Sequence, residues 1–245
     1  MPFHRPIIHA VLFDLDDTLF DHLGCSREAL ATIRDAHEQF RAMPFDVLQR
    51  AHAGILEELH GDVMLGRVSV DDARIERFRR LLQAVGAPVS NATARELALT
   101  YRETYRARRR AVSGAAQLMA AVKRHARIGI VSNNIRDEQE EKLQVCGLDA
   151  FVDALVVSEE AQVSKPDPGI FRIALDLLQV EPRQTVMIGD SWAADVVGAR
   201  AAGIRAIWFN PSGAAAPDPD ADVYQLTALE PADAIVREIL EPSRY

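Results

Sequence analysis

Cysteine is scarce in this chain: 245 residues carry two, Cys25 and Cys146. They lie far apart in helix-like surroundings, so no disulfide framework is expected, and free packed thiols of a reducing, cytoplasmic protein are. No run of about 18 apolar residues occurs, so no membrane-spanning helix is expected. The opening stretch MPFHRPIIHAVLF runs straight from apolar residues into acids, which is a strand's grammar rather than a leader's. An excess of positive charge is missing as well. The 28 Lys+Arg against 36 Asp+Glu give a net charge of −8, the wrong sign for a general nucleic-acid binder. Lysine is rare even among the basic residues: it stands only at 123, 142 and 165, so 25 of the 28 are arginine. No internal repeat of useful period is visible.

What is present is an apolar run, Ile7, Ile8, Val11, Leu12 and Phe13, that ends abruptly in Asp14-Leu15-Asp16-Asp17-Thr18. A strand this apolar is expected to be buried on both faces of a parallel sheet. Its terminal acids then fall at the C-terminal strand edge, where open α/β sheets bind ligands. Side chains two apart on an extended strand point the same way, so Asp14 and Asp16 are expected to face one small space. There they repel unless a metal or a proton separates them.

Residues 22–111 change character and read as four amphipathic helical stretches. Leu30, Ile33, His37 and Phe40 recur at helical spacing; so do Leu48, Ile55 with Leu56 and Leu59, with a gap at Ala51 and His52. Ile75, Phe78, Leu81, Leu82 and Val85 follow, then Ala94, Leu97, Tyr101 and Tyr105. Ser26 is a candidate N-cap and Thr93 to Glu96 a candidate capping box. Breaks are expected at Met43-Pro44, Gly61 to Ser69 and Gly86-Ala87-Pro88. From 112 onward, strands at 127–132, 154–157, 185–189, 205–209 and 222–226 alternate with helices at 135–146, 168–179, 193–202 and 231–240, and 211–221 reads as a surface loop. Such alternation predicts a Rossmann-like α/β core with a parallel sheet, made of residues 1–21 and 112–245. Residues 22–111 are then an inserted helical cap domain over the acidic sheet edge. The insert carries 15 basic and 12 acidic residues, a net of +3, which leaves the core at −11.

Four patches sit at predicted strand ends. In the first, Asp14 is a fixed carboxylate suited to nucleophilic attack, with Asp16 placed to give and take protons. The second, Ser132-Asn133-Asn134, offers a hydroxyl and a backbone N–H to one phosphoryl oxygen. The third, Ser164-Lys165-Pro166-Asp167-Pro168-Gly169, fixes a lysine just before a helix, a compact point charge in an arginine-rich chain. In the fourth, Asp190 after TVMIG is an oxygen ligand suited to Mg²⁺, with Asp195 as a supporting acid five residues on.

These patches, in this order, resemble the haloacid dehalogenase superfamily, in particular its Mg²⁺-dependent phosphatase branch with a helical cap inserted between the first and second motifs. The resemblance implies that Asp14 is nucleophile and Mg²⁺ ligand, and that Asp16 is acid/base with its backbone carbonyl on the metal. It implies that Ser132, Asn133 and Lys165 bind the phosphoryl group, that Asp190 ligates Mg²⁺, and that Asp195 supports it. It also implies a sheet order with the first strand between those carrying Ser132 and Asp190. The expected substrate is a small phosphorylated metabolite. The nearest rival is a metal-free 2-haloacid dehalogenase; Asp16 speaks against it, because halide departure needs no proton and those enzymes carry an apolar or aromatic residue there. A non-enzymatic phospho-acceptor domain is the other rival, disfavoured by the same Asp16 and by a cap. Within the insert, Arg67 is a candidate contact for an anionic group.

Overall fold

A computed structural model describes residues 7–240. The opening residues 1–6, part of the stretch read above as strand rather than leader, lie outside the described residues. The chain divides into two compact units, residues 1–21 with 110–245 and residues 22–109. Among the described residues no helix is long and apolar enough to cross a membrane.

The first unit is a Rossmann-like α/β domain. Its six strands are β1 (Ala10–Phe13), β2 (Arg127–Ser132), β3 (Ala154–Val157), β4 (Thr185–Gly189), β5 (Arg205–Phe209) and β6 (Tyr224–Leu226). They form one parallel sheet in the order β3-β2-β1-β4-β5-β6. β1 lies between β2 and β4, with Phe13 in register with Ile130 and Ile188. All four of its residues are buried, which is why it reads as an unbroken apolar run. Ala10 and Leu12 join one apolar cluster with Met187 of β4 and with Ile170, Phe171 and Ala174 of the helix Pro168–Leu178. Each such fully buried large side chain contributes roughly 1.5–3 kcal/mol of transfer free energy. The chain leaves and re-enters this unit side by side. Asp21 N–H donates to the Arg110 carbonyl (3.1 Å), the Arg110 guanidinium reaches the Asp21 carboxylate (2.6 Å), and Phe20 bridges to Ala111. These contacts make 110–111 part of the α/β unit.

The second unit is helical: His22–Ala36, a single turn Glu38–Arg41, Phe45–Met64, Val70–Ala84 and Asn91–Arg108. Its core is Leu30, Ile33, Phe40, Leu48, Phe78, Leu81, Leu97 and Tyr101, so the helical periodicity picked out the buried face. The details differ at the ends. The first stretch breaks at His37, whose backbone is extended, before the short turn that buries Phe40. Ser26 lies inside a helix that begins at His22, and its hydroxyl pairs with the Tyr101 hydroxyl at 2.7 Å rather than capping. Ser90, not Thr93, caps the last helix by accepting from Thr93 N–H (3.0 Å). Gly61 stays helical, so the break begins at Leu65. The gap at His52 is a buried histidine packed between Phe78 and Tyr101. In the α/β unit the helix expected at 193–202 opens instead as a π-helix, Trp192–Val197, and continues as α over Gly198–Ala201.

Candidate active site

The site is built at the C-terminal ends of β1, β2 and β4 and in the loop before the helix Pro168–Leu178. Asp14 is the first residue beyond β1. Its N–H extends the ladder by donating to the Ile188 carbonyl (3.0 Å), which fixes the backbone that carries the carboxylate. Lys165 reaches it: its ammonium donates to Asp14 Oδ1 at 2.5 Å and to Asp195 Oδ1 at 2.7 Å. Lys165 is held in turn by Asn133, whose side-chain amide accepts from Lys165 N–H (2.7 Å) and donates to the Lys165 carbonyl (2.8 Å). Asn133 therefore clamps the lysine loop to the end of β2. Asp195 accepts a second hydrogen bond from Ser191 N–H (3.0 Å) and lies directly over Gly189, where a Cβ would stand 2.2 Å from its Oδ2. The π-helix sets Asp195 in that position, and the absence of a side chain at 189 leaves room for it. Asp190 is oriented by Thr18, whose hydroxyl donates to Asp190 Oδ1 (3.2 Å) and accepts from Asp190 N–H (3.0 Å). Trp208 N–H caps the Asp190 carbonyl (2.8 Å).

Asp16 sits in a second network. The regular strand ends at Phe13, Asp16 forms an isolated parallel bridge with Phe20, and Asp17 turns with a φ of 60° while the Leu15 carbonyl collects the N–H groups of Leu19 and Phe20. Each acid has its own ammonium. Lys142 donates to both oxygens of Asp16 (2.6 and 2.9 Å), and Gln139 (2.9 Å) and Asn134 (3.2 Å) donate to its Oδ2. Gln139 also donates to Ser132 Oγ (2.7 Å), which ties Ser132 to Asp16. So Asp14, Lys165, Asp190 and Asp195 form one group. Asp16 and Ser132 form the adjoining one, and Asn133 bridges from β2 to the lysine. Within the helical unit, Arg67 pairs with Asp62 of the helix Phe45–Met64 (3.2 Å).

Three oxygen ligands, one each from Asp14, Asp190 and Asp195, lie within 4.8 Å of one another. Against the single Lys165 ammonium they leave this small volume two negative charges in excess. The titration behaviour reflects that crowding. Burial raises the Asp14 carboxyl well above its ordinary range; Lys165 pulls it back, while Asp195 and Asp190 push it further up. Asp190 is pushed up to about 7, by burial first and then by Asp195 and Asp17. Burial lowers Lys165, but Asp14 and Asp195 together overcome it, and the ammonium stays protonated above its ordinary value. Hard carboxylate oxygens carrying uncompensated charge suit Mg²⁺. The carboxylate of Asp16 is not among the three; the role expected for it was through its backbone carbonyl.

A family model for haloacid dehalogenase-like hydrolases matches residues 8–203. The chain belongs to this family. Among its relatives is a phosphoserine phosphatase from Thermus thermophilus, 34% identical over 236 residues, covering 86% of this chain and 92% of the relative. An N-acylneuraminate-9-phosphatase from Rattus norvegicus is 26% identical over 211 residues, covering 84% of each. The structure of an L-2-haloacid dehalogenase from Xanthobacter autotrophicus superposes with a TM-score of 0.68 at 21% identity, over 95% of this chain and 98% of that one. The fold is thus common to both chemistries, and the side chains must choose between them.

Sequence reasoning missed Lys142, Gln139 and Thr18 as members of the site. Thr18 was within the first motif string but carried no assigned role. Lys142 had a visible signal: it is one of three lysines in the chain. Gln139 and Lys142 are also the polar residues at buried positions of the helix Arg136–Val145, where Leu143 is the apolar one. Polar side chains on the inward stripe of an amphipathic helix break the local pattern, and such breaks cluster at functional sites.

Proposed function

We propose that this phosphatase hydrolyses phosphate monoesters of small metabolites through a phosphoryl group carried transiently on Asp14. The observation that carries this reading is the Asp14 carboxylate at the end of β1, paired with Lys165 and grouped with Asp190 and Asp195. Mg²⁺ held by Asp14 and Asp190, with Asp195 alongside, would neutralise the excess carboxylate charge and draw electron density from a phosphoryl oxygen. Asp14 attacks phosphorus in line: an Asp14 O–P bond forms and the ester P–O bond breaks. The electron pair stays with the departing oxygen, which takes a proton from Asp16. Asp16, now a carboxylate, accepts a proton from water as the water oxygen attacks the same phosphorus, and Asp14 is released. Lys165 and the Ser132 hydroxyl are the donors suited to the phosphoryl oxygens. Uncatalysed monoester hydrolysis is slow enough that enzymes accelerate it by up to ~10²¹, and preorganised charge at a strand edge is how this arrangement supplies its share.

Asp16 favours phosphoryl transfer over dehalogenation, because displacement of halide from carbon needs no acid. The helical unit, residues 22–109, is the part in which we place substrate selection as a cap. The test is a phosphate-release screen over metabolite monoesters with Mg²⁺, with Asp14→Asn as the blank and a parallel halide-release assay on 2-haloacids in chelator. Turnover of a monoester that the blank lacks, with no halide released, is expected. Substantial phosphate release by Asp14→Asn of native circular dichroism would overturn the assignment of the nucleophile.

A further inference from the structure

The helix Arg136–Val145 faces the sheet with an amide and an ammonium. Gln139 is fully buried and Lys142 nearly so, one helical turn apart, while Asp137, Glu138, Glu140 and Glu141 make the rest of the helix acidic. Residues at these positions normally supply apolar packing. Here the Lys142 ammonium spans both oxygens of Asp16 and stands 5.3 Å from the centre of the Phe20 ring. Gln139 divides its NH₂ group between Asp16 Oδ2 and Ser132 Oγ. Its carbonyl oxygen Oε1 is buried and has no hydrogen-bond partner among the described residues.

That pattern fixes donor directions. The nitrogen of Gln139, not its oxygen, faces Asp16 and donates to Oδ2. The second N–H of the same nitrogen then occupies a lone pair of Ser132 Oγ. A hydroxyl that accepts there keeps its own proton for another acceptor. The unpartnered Oε1 is the cost of holding the amide in this sense, since turning it over would aim an oxygen at the Asp16 carboxylate.

We infer that Gln139 and Lys142 are positioning residues: Lys142 holds the Asp16 side chain in the place from which it handles protons, and Gln139 obliges Ser132 to act as a donor to the phosphoryl group. This rests on the phosphatase reading of the same site. Neither residue is given a bond to phosphorus, to the leaving oxygen or to the attacking water. Lys142 acts through Asp16, and Gln139 acts through both Asp16 and Ser132.

The experiment compares p-nitrophenyl phosphate with phenyl phosphate, which share a shape but differ in how much the leaving oxygen needs a proton. Wild type, Lys142→Met, Lys142→Arg, Gln139→Leu, Asp16→Asn and the double variant Asp16→Asn/Lys142→Met are assayed with Mg²⁺, and orthophosphate inhibition is measured for each. Lys142→Met is expected to lower kcat for phenyl phosphate at least 10-fold more than for p-nitrophenyl phosphate, and Lys142→Arg to recover part of that loss. In the Asp16→Asn background the same Lys142→Met change is expected to have no further effect, because coupled residues are not additive. Gln139→Leu is expected to weaken orthophosphate inhibition several-fold, a change a merely structural residue would not produce. Equal losses on both esters, or full additivity of Asp16→Asn with Lys142→Met, would overturn the role of Lys142. Unchanged orthophosphate inhibition in Gln139→Leu would overturn that of Gln139. Should Lys142→Met not fold, Lys142→Arg and Gln139→Leu decide the matter by the same ratio and inhibition readouts. Failure of the phosphatase reading looks different: Asp14→Asn would then retain activity, or wild type would cleave neither ester.

Discussion

Gly189→Ala is the smallest change that should disable the site. The glycine ends β4 with a backbone that alanine can adopt, so the reason for glycine is space. A methyl there would stand 2.2 Å from Asp195 Oδ2, 2.3 Å from its Cγ and 2.6 Å from its Cβ. Carbon contacts relax near 3.5 Å, so the Asp195 carboxylate must retreat by about 1 Å or more. That distance separates it from the Lys165 ammonium at 2.7 Å and from Ser191 N–H at 3.0 Å. Hydrogen bonds to charged groups contribute about 1.5–3 kcal/mol each. The reduced flexibility of the unfolded chain returns about 0.4–1 kcal/mol for Gly→Ala. The expected net loss is roughly 2–5 kcal/mol of stability. A displacement of about 1 Å in the group that orients Lys165 should also cost on the order of 10²-fold in kcat. Urea unfolding followed by the fluorescence of Trp192 and Trp208, which lie edge-to-face at 5.0 Å in this unit, measures the first quantity. Phosphate release measures the second. The decisive control is the cycle with Asp195→Ala: once that carboxylate is gone the methyl has nothing to displace, so Gly189→Ala should cost almost nothing further. Additive effects of the two substitutions, or wild-type stability of Gly189→Ala alone, would refute the steric argument.

Three other outcomes follow from the charges. His52 is buried in the helical unit, and burial first, then Arg77 and His22, holds its imidazole well below the ordinary range. The folded state therefore excludes a proton that the unfolded chain accepts below about 6.5; stability is full above that pH and falls beneath it by up to about 1.4 kcal/mol per pH unit. Relative to His52→Leu, the wild type should lose about 2 kcal/mol between pH 7 and 5 in urea melts read by far-ultraviolet circular dichroism, and parallel pH curves would sink the claim. Asp190 has the opposite sign: with its folded value raised to about 7, the metal-free protein binds a proton more readily than the unfolded chain and loses stability as pH rises from about 4 to 7, by at most about 4 kcal/mol. The wild-type-minus-Asp190→Asn difference in chelator should show that slope, and Mg²⁺ should stabilise wild type more at pH 8 than at pH 5; a flat difference would count against the crowded-carboxylate picture. Lys165→Arg keeps the charge but brings a broad planar group into a space shared by two carboxylates, so activity should fall at least 10-fold, while Lys123→Arg on the partly exposed Asp153 pair should be neutral in the same assay.

Much of the architecture was legible because burial on both faces writes itself into composition. β1, β2, β3 and β4 are short apolar runs that give way to Asp14, Ser132, Ser158 and Gly189-Asp190, and the acids after β1 and β4 mark the functional edge. The helical unit was legible as periodicity, but its ends were not. Ser26 has the chemistry of a cap and sits instead inside a helix, because Tyr101 offers its hydroxyl a partner. His52 interrupted the apolar pattern while occupying a core position, since an imidazole can pack against the Phe78 and Tyr101 rings as a hydrophobe would. The π-helix at Trp192–Val197 leaves no trace in spacing alone: one wider turn changes which face Asp195 presents without changing residue types. Spacing along β1 marked Asp14 and Asp16 as a pair but carried no sign of their partners: Asp14 is bonded by Lys165 and Asp16 by Lys142, lysines that lie far away in the sequence.

The lysines explain why composition carried more about the site than pattern did. Each of the three is paired with an aspartate: Lys123 with Asp153 at 2.6 Å, Lys142 with Asp16 at 2.6 Å and Lys165 with Asp14 at 2.5 Å. Arginine serves exposed pairs, as in Arg50 with Asp46, where a long planar fork can spread over a helix surface. Lys142 and Lys165 are instead almost wholly buried, and a guanidinium with five N–H groups would need acceptors for all of them in that space. An ammonium needs three, and at Lys165 Asp14 and Asp195 supply two, leaving one N–H for a third acceptor. A phosphoryl oxygen is suited to that place. The preference for lysine here follows from counting donors against acceptors in a closed volume. A chain that otherwise uses arginine therefore departs from its habit where the phosphate is proposed to bind.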